Sequence, residues 1–212
     1  MDDVKEHYER LYKLQDKVLE VIFDNSNEFY LTGGTCLSRF YQAYRYSDDL
    51  DLFTNFSSRY SLELKILKQE LSKIFDLTVE VESQTFTRYL VDKELQIDLV
   101  NDNVKRCGKV LQKDKILIDN IENILANKLT AIIGRDNAKD VFDLYMIDGF
   151  YNPDYKKAIK CAREKMFFEV GDLIYRLKTF PKILLKDIKL IQKDFLNDFS
   201  LQEIIDKIKE VE

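Results

Sequence analysis

Ser47-Asp48-Asp49-Leu50-Asp51-Leu52-Phe53 is the stretch on which the reading of the fold turns. From Leu50 to Phe53 it reads as a strand. Residues i and i+2 of a strand point to the same face, so Asp49 and Asp51 project side by side while Leu50 and Leu52 turn into the core. Two adjacent carboxylates repel unless a cation sits between them. Mg²⁺ wants hard oxygen ligands and takes one or two protein carboxylates, completing its shell with substrate phosphates. The plain alternative is an acidic strand start in a solvated loop. That alternative leaves unexplained why a strongly apolar strand carries acids on one face at this spacing.

Working outward, Phe29-Tyr30-Leu31-Thr32 reads as a short buried strand stopped by Gly33-Gly34. Thr35 is then placed to cap a helix running from Cys36 to Tyr44. Glycines let a backbone come close and adopt positive φ, and a helix N-terminus offers unpaired N–H groups. Together these make a candidate phosphate cradle. Downstream, Leu95-Gln96-Ile97-Asp98-Leu99-Val100 is a β-type run with one acid among core-like residues. An isolated buried carboxylate is costly and needs a partner. If this strand neighbours the Asp49–Asp51 strand, Asp98 completes a set of three carboxylates. Otherwise it faces solvent on an edge strand.

The remaining pattern divides the chain. Residues 2–24 carry apolar positions at helical spacing, from Val4 and Tyr8 to Ile22. Residues 58–75 form a second helix, followed by strands at 77–81, 86–91 and 95–100, with Asp92-Lys93-Glu94 as the turn between the last two. From about residue 117 everything reads as helix: 119–133, 137–147, 154–169, 171–179, and 184–209 with a break. A strand-rich first part and an all-helical second part imply an α+β architecture, with residues 1–116 as one domain and 117–212 as a helical one.

Composition sets the outer limits. The 212 residues are 45% hydrophobic and 33% charged, with 6 Gly and 2 Pro, which fits a folded chain with little linker. A net charge of −5 is not the broad basic surface of a duplex DNA binder, and confines any RNA contact to a local patch. Cys36, Cys107 and Cys161 are odd in number and far apart, which reads as three reduced thiols of a cytoplasmic protein. The charged N-terminus lacks a signal-peptide core, and no apolar run approaches a membrane span. His7, the single histidine, lies near the N-terminus in a helical pattern, which argues against chemistry built on a central histidine such as a Ser-His-Asp triad.

Glycine pair, Asp-x-Asp and a lone Asp within an apolar strand, in that order, resemble the motifs of the DNA polymerase β-like nucleotidyltransferase superfamily. Gly33-Gly34-Thr35-Cys36-Leu37 followed by Arg45-Tyr46-Ser47-Asp48-Asp49-Leu50-Asp51-Leu52-Phe53 is closer still to the bacterial AbiEii/AbiGii toxin family. Ala126-Asn127-Lys128-Leu129-Thr130-Ala131 and Lys139-Asp140-Val141-Phe142-Asp143-Leu144 resemble that family's later elements. The gap between Gly34 and Asp49 is slightly longer than is usual in the superfamily.

The resemblance implies a nucleotidyltransferase fold, a small mixed sheet flanked by helices, followed by a helical bundle. It implies an Mg²⁺-dependent enzyme that moves an NMP from an NTP to a hydroxyl, as the toxin of a toxin–antitoxin or phage-defence system. Asp49, Asp51 and Asp98 would be the metal ligands, with Asp98 also drawing the proton from the attacking hydroxyl. Gly33, Gly34 and Thr35 would hold the β- and γ-phosphates. Lys128 would contact phosphate, against the alternative of a lysine snorkelling to solvent, and Asp140 would lie near the site. Ser47 either caps, bonds Asp49 or meets a phosphate. Arg88 either faces substrate or pairs with an acid. Asp143 is equally an ordinary helix carboxylate. The tRNA 3′ end is the first acceptor implied and a protein the second, with a cognate antitoxin as partner. A small-molecule nucleotidyltransferase and a non-catalytic nucleotide-binding module of the same fold stand as alternatives.

Overall fold

The computed structural model describes residues 2–211, the side chains of Asp2 and Lys193 excepted. The chain divides into two compact units. The first takes the N-terminal region to Phe40, Ser47–Val104 and Val110–Asp119; the second takes Tyr41–Tyr46, Lys105–Lys109 and everything from Asn120.

The first unit is built on a mixed seven-stranded sheet in the order β3-β4-β5-β2-β1-β7-β6. Its strands are β1 (Tyr30–Thr32), β2 (Leu50–Asn55), β3 (Leu77–Glu82), β4 (Phe86–Val91), β5 (Leu95–Asp102), β6 (Leu111–Lys113) and β7 (Ile116–Ile118). β2 runs parallel to β5 and antiparallel to β1. Alternation sorts the side chains of the central strands. Leu50 and Leu52 of β2, Ile97 and Leu99 of β5, and Tyr89 and Val91 of β4 are fully buried. The intervening Asp51, Arg88 and Asp98 lie on the half-exposed face. Helix α3 (Tyr60–Ser72) is tied to the buried face, where Tyr60 donates its hydroxyl to the Leu99 carbonyl at 2.8 Å. Helix α1 (Asp2–Asn25) buries Tyr8, Leu11, Val18, Leu19 and Ile22 of the stripe read from its spacing, while Val4 at its start is exposed.

Asp92 and Lys93 both have positive φ, 50° and 58°, and Glu94 donates to the Val91 carbonyl at 3.0 Å. That is a tight two-residue turn of the mirror-image type that matches strand twist, and it fixes the register of β4 against β5.

The structure departs from the expected elements in two places within this unit. The sequence reading places no element between the strand at 95–100 and the helices from about residue 117, but the chain there forms β6 and β7. These strands are three residues each and β6 is exposed, so neither leaves an alternating apolar signature. The helix after the glycines begins at Gly33, not after Thr35. Its first turn, α2 (Gly33–Cys36), is followed by a π-helical segment at Leu37–Tyr41. Thr32 stands at the N-cap without capping, because its hydroxyl donates instead to Asp119 Oδ2 at 2.7 Å.

The second unit is helical: α4 (Ile121–Gly134), α5 (Ala138–Tyr151), α6 (Tyr155–Lys165), α7 (Val170–Thr179) and α8 (Gln202–Lys209). α4, α5 and α6 start at Asn120, Asn137 and Asp154, whose side chains each accept a backbone N–H of the first turn. The expected helix over 184–209 is reduced to short 3₁₀ turns at Lys182–Asp187 and Lys193–Leu196, with α8 as its only α-helical part. The expectation of three unpaired thiols also fails for two of them. Cys107 and Cys161 form a disulfide with Cα atoms 6.2 Å apart, within the normal span. Cys36 alone is a free thiol; burial, then the charge of Asp119, pushes its pKa well up, so it stays protonated. Among the described residues no helix is long and apolar enough to cross a membrane.

Candidate active site

The acidic face of the first unit is set by strand register. Asp51 of β2 is paired directly with Asp98 of β5, and Asp98 with Arg88 of β4. Residues paired across adjacent strands share a face, so Arg88, Asp98 and Asp51 form a row across the sheet. Asp49 precedes β2 by one residue. The condition set for Asp98 by its sequence is therefore met, because its strand does neighbour that of Asp51.

Gly33 closes the other side of Asp51. Its φ is +69°, and a Cβ built there would lie 2.2 Å from Asp51 Oδ2. The absence of a side chain at residue 33 is what gives the Asp51 carboxylate its place. Thr35 is fully buried, and its hydroxyl donates to the Asp49 carbonyl, so it ties the glycine turn to the start of the acidic strand. That bond commits the Thr35 side chain to the backbone.

Helix α1 holds the residues just before. Tyr12 accepts the Ser47 N–H at 3.1 Å, Gln15 donates to the Ser47 carbonyl at 3.2 Å, and Tyr8 donates to Asp48 Oδ1. Ser47 is buried, so the structure presents it as an anchored backbone position. Sequence reasoning gave Tyr8, Tyr12 and Gln15 no part in the site. They lie about one helical turn apart, which is the signal that a polar stripe faces something fixed.

Asp98 accepts both Nε and Nη2 of Arg88, each at 2.7 Å, and Gln96 Nε2 at 3.4 Å. Of the two readings of Arg88, pairing with an acid is the one present. Hydrogen bonding to Asp98 favours the charged guanidinium, and the charges of Glu80 and Asp49 act in the same direction.

As a donor set, Asp49, Asp51 and Asp98 offer hard carboxylate oxygens on or next to neighbouring strands, beside a turn without side chains. This fits Mg²⁺ by ligand type. Among the described residues no three carboxylate, histidine or cysteine side chains are already grouped to hold a metal ion, and both oxygens of Asp98 accept from Arg88.

Lys128 and Asp140 belong to the second unit, where they form a buried ionic network. Lys128 Nζ lies 2.9 Å from Asp140 Oδ1 and 2.6 Å from Asp143 Oδ2. Arg45 donates Nε and Nη2 to Asp143 Oδ1 and Oδ2 at 2.7 and 2.8 Å, with both side chains essentially out of solvent. Arg135 Nε completes the set on Asp140 Oδ2 at 2.8 Å. The lysine does not snorkel, and Asp143 is no ordinary helix carboxylate. Burial pushes the Asp143 carboxyl up, but Arg45 and then Lys128 outweigh it and hold it at about 2. Burial opposes the charge on Lys128, yet Asp143 and Asp140 raise its pKa above the ordinary value. Arg45 opens the stretch Arg45–Phe53, and nothing local in the sequence gives it a role of its own. Its partner is 98 residues away in the chain.

Residues 19–208 match the family described as "Nucleotidyl transferase AbiEii toxin, Type IV TA system". No curated protein matches the chain. Among solved structures, JHP933 from Helicobacter pylori is similar at 22% identity with a TM-score of 0.60, covering 97% of this chain and 90% of that one. The Megavirus polyadenylate synthase is similar at 18% identity with a TM-score of 0.51, covering 71% of this chain and 35% of that one. These likenesses show the fold.

Proposed function

Because the chain belongs to the AbiEii nucleotidyltransferase toxin family and is thus a nucleotidyltransferase, we propose that it transfers an NMP from an NTP to a hydroxyl at the acidic face of its sheet. The observation that carries this reading is the register of Asp51 with Asp98 on adjacent parallel strands, against the bare backbone of Gly33.

Asp49 and Asp51 would hold Mg²⁺ together with Asp98. Bound there, the ion would neutralise phosphate charge and polarise the phosphoryl group under attack. Asp98 Oδ takes the proton of the acceptor hydroxyl. The acceptor oxygen then bonds to the α-phosphorus as its bond to the bridging oxygen breaks, and pyrophosphate leaves. Gly33 and Gly34 present main chain to the β- and γ-phosphates. Thr35 acts by holding Asp49 through its carbonyl, and Ser47 by its anchored backbone. The network of Lys128, Asp140, Asp143 and Arg45 is assigned to organising the second unit.

The acceptor is proposed to be RNA, with a tRNA 3′ end first. Between Tyr155 and Leu190 the sequence carries ten lysines and arginines against four carboxylates, in a chain whose total charge is −5. Phe167 and Tyr175 in the same region are 84% and 66% exposed, and exposed aromatics among basic residues suit stacking with unpaired bases. As a family toxin the protein implies a cognate antitoxin, and its use of NTPs suits action in the cytoplasm. Incubation with Mg²⁺, α-labelled NTPs, total RNA and a protein extract tests the proposal. Label entering RNA with the wild type and absent with Asp51→Ala supports it. Label entering protein alone redirects the acceptor, and label in neither contradicts the transfer.

A further inference from the structure

The third carboxylate, Asp98, is gripped through both oxygens. Arg88, Asp98 and Asp51 stand side by side on β4, β5 and β2, with Asp98 in the middle of the row. Arg88 takes both oxygens of Asp98 in a two-pronged pair at 2.7 Å each. A carboxylate bound this way by a planar guanidinium has its strongest acceptor directions used. The Asp98 side chain is 13% exposed and that of Arg88 33%, so the pair is sheltered enough to matter while the guanidinium retains a way out. The guanidinium also lies over the Phe86 ring, 5.5 Å from its centroid, which steadies it on the same face.

We propose that Arg88 is the resident counter-ion of the nucleotidyl-transfer carboxylates, and that it competes with the divalent cation for Asp98. This rests on the reading of Asp49, Asp51 and Asp98 as the metal ligands. An ion that needs Asp98 has to displace the guanidinium, so its apparent affinity is reduced by the fraction of molecules in which the pair is closed. A triphosphate offers the released guanidinium an equivalent partner, since the same fork fits phosphate and carboxylate oxygens. Metal and nucleotide then favour each other's binding. Arg88 thereby weakens metal binding at the carboxylates when no nucleotide is present.

Mn²⁺ binding to the full chain, followed by electron paramagnetic resonance without nucleotide, tests this. Arg88→Met and Arg88→Gln are each expected to bind Mn²⁺ about tenfold more tightly than wild type or better. Arg88→Lys keeps the charge and is expected to stay within about threefold of wild type. Adding Asp51→Asn to any of them is expected to abolish the binding. A purely structural Arg88 would weaken binding in the Met and Gln variants or leave it unchanged. That outcome, with Asp51-dependent binding still present, overturns the role of Arg88 and leaves the metal site standing. If no variant shows Asp51-dependent Mn²⁺ binding, the metal reading fails and the inference with it. The Met and Gln variants are independent, so either folded one decides.

Discussion

Asp51 and Asp98 occupy directly paired positions on adjacent parallel strands, so two acids 47 residues apart in sequence share one face of the sheet. On the other face of these strands Leu50, Leu52, Ile97 and Leu99 are at zero exposure. A slip of one residue in either strand would turn its acid inward and its leucines out. The apolar core thus fixes the carboxylate geometry, and the chemistry inherits its precision from packing.

Gly33→Ala tests how closely the glycine turn is fitted to that face. The φ of +69° costs an alanine roughly 1–2 kcal/mol, and its Cβ would lie 2.2 Å from Asp51 Oδ2. The variant is expected to fold, to unfold at lower urea concentration, and to lose NTP turnover by about a hundredfold because Asp51 is displaced. Unchanged turnover would show that the carboxylate does not need this position.

Thr35→Val removes the hydroxyl that donates to the Asp49 carbonyl while keeping a similar shape. It is expected to cost about 1 kcal/mol of stability and about tenfold in turnover, with Thr35→Ser close to wild type in both. If Val and Ser variants turn over NTP equally, the side chain does not position Asp49.

The buried network predicts a pH signature. The Asp143 pKa is held at about 2, below its ordinary 3.8, so the stability it contributes is complete above about pH 4 and is lost as pH falls toward 2. At pH 7, Asp143→Asn leaves Arg45 and Lys128 short of a charged partner and is expected to cost about 3–5 kcal/mol. Urea unfolding at several pH values checks this. The gap between wild type and Asp143→Asn should narrow between pH 4 and pH 2, whereas a gap independent of pH would rule out the ionic origin.

Much of the first unit is legible in the sequence because its central strands are half-buried. Alternation in β2, β4 and β5 sets Asp51, Arg88 and Asp98 on the polar side of their strands, and the glycine pair marks the turn beside them. What the sequence hides is partnership over distance. No local pattern distinguishes an Arg88 that meets substrate from one that grips Asp98. Nor does any pattern connect Arg45 with Asp143, or Cys107 with Cys161. Polar residues at a helix start are ambiguous in the same way: Thr35 reads as a cap but bonds the Asp49 carbonyl, while Thr32, which stands at the N-cap, bonds Asp119. The C-terminal stretch misleads because its apolar spacing resembles helix while the chain there forms 3₁₀ turns at Lys182–Asp187 and Lys193–Leu196.

Pyrophosphate release from NTP in the presence of Mg²⁺, compared between wild type and Asp51→Asn, bears most directly on the acidic face as the site of transfer. The substitution is nearly isosteric, so the two proteins should melt at similar temperatures. Wild type is expected to release pyrophosphate with an RNA acceptor present, and Asp51→Asn to do so slower by roughly a hundredfold or more. Equal rates in the two proteins would place the chemistry elsewhere in the molecule.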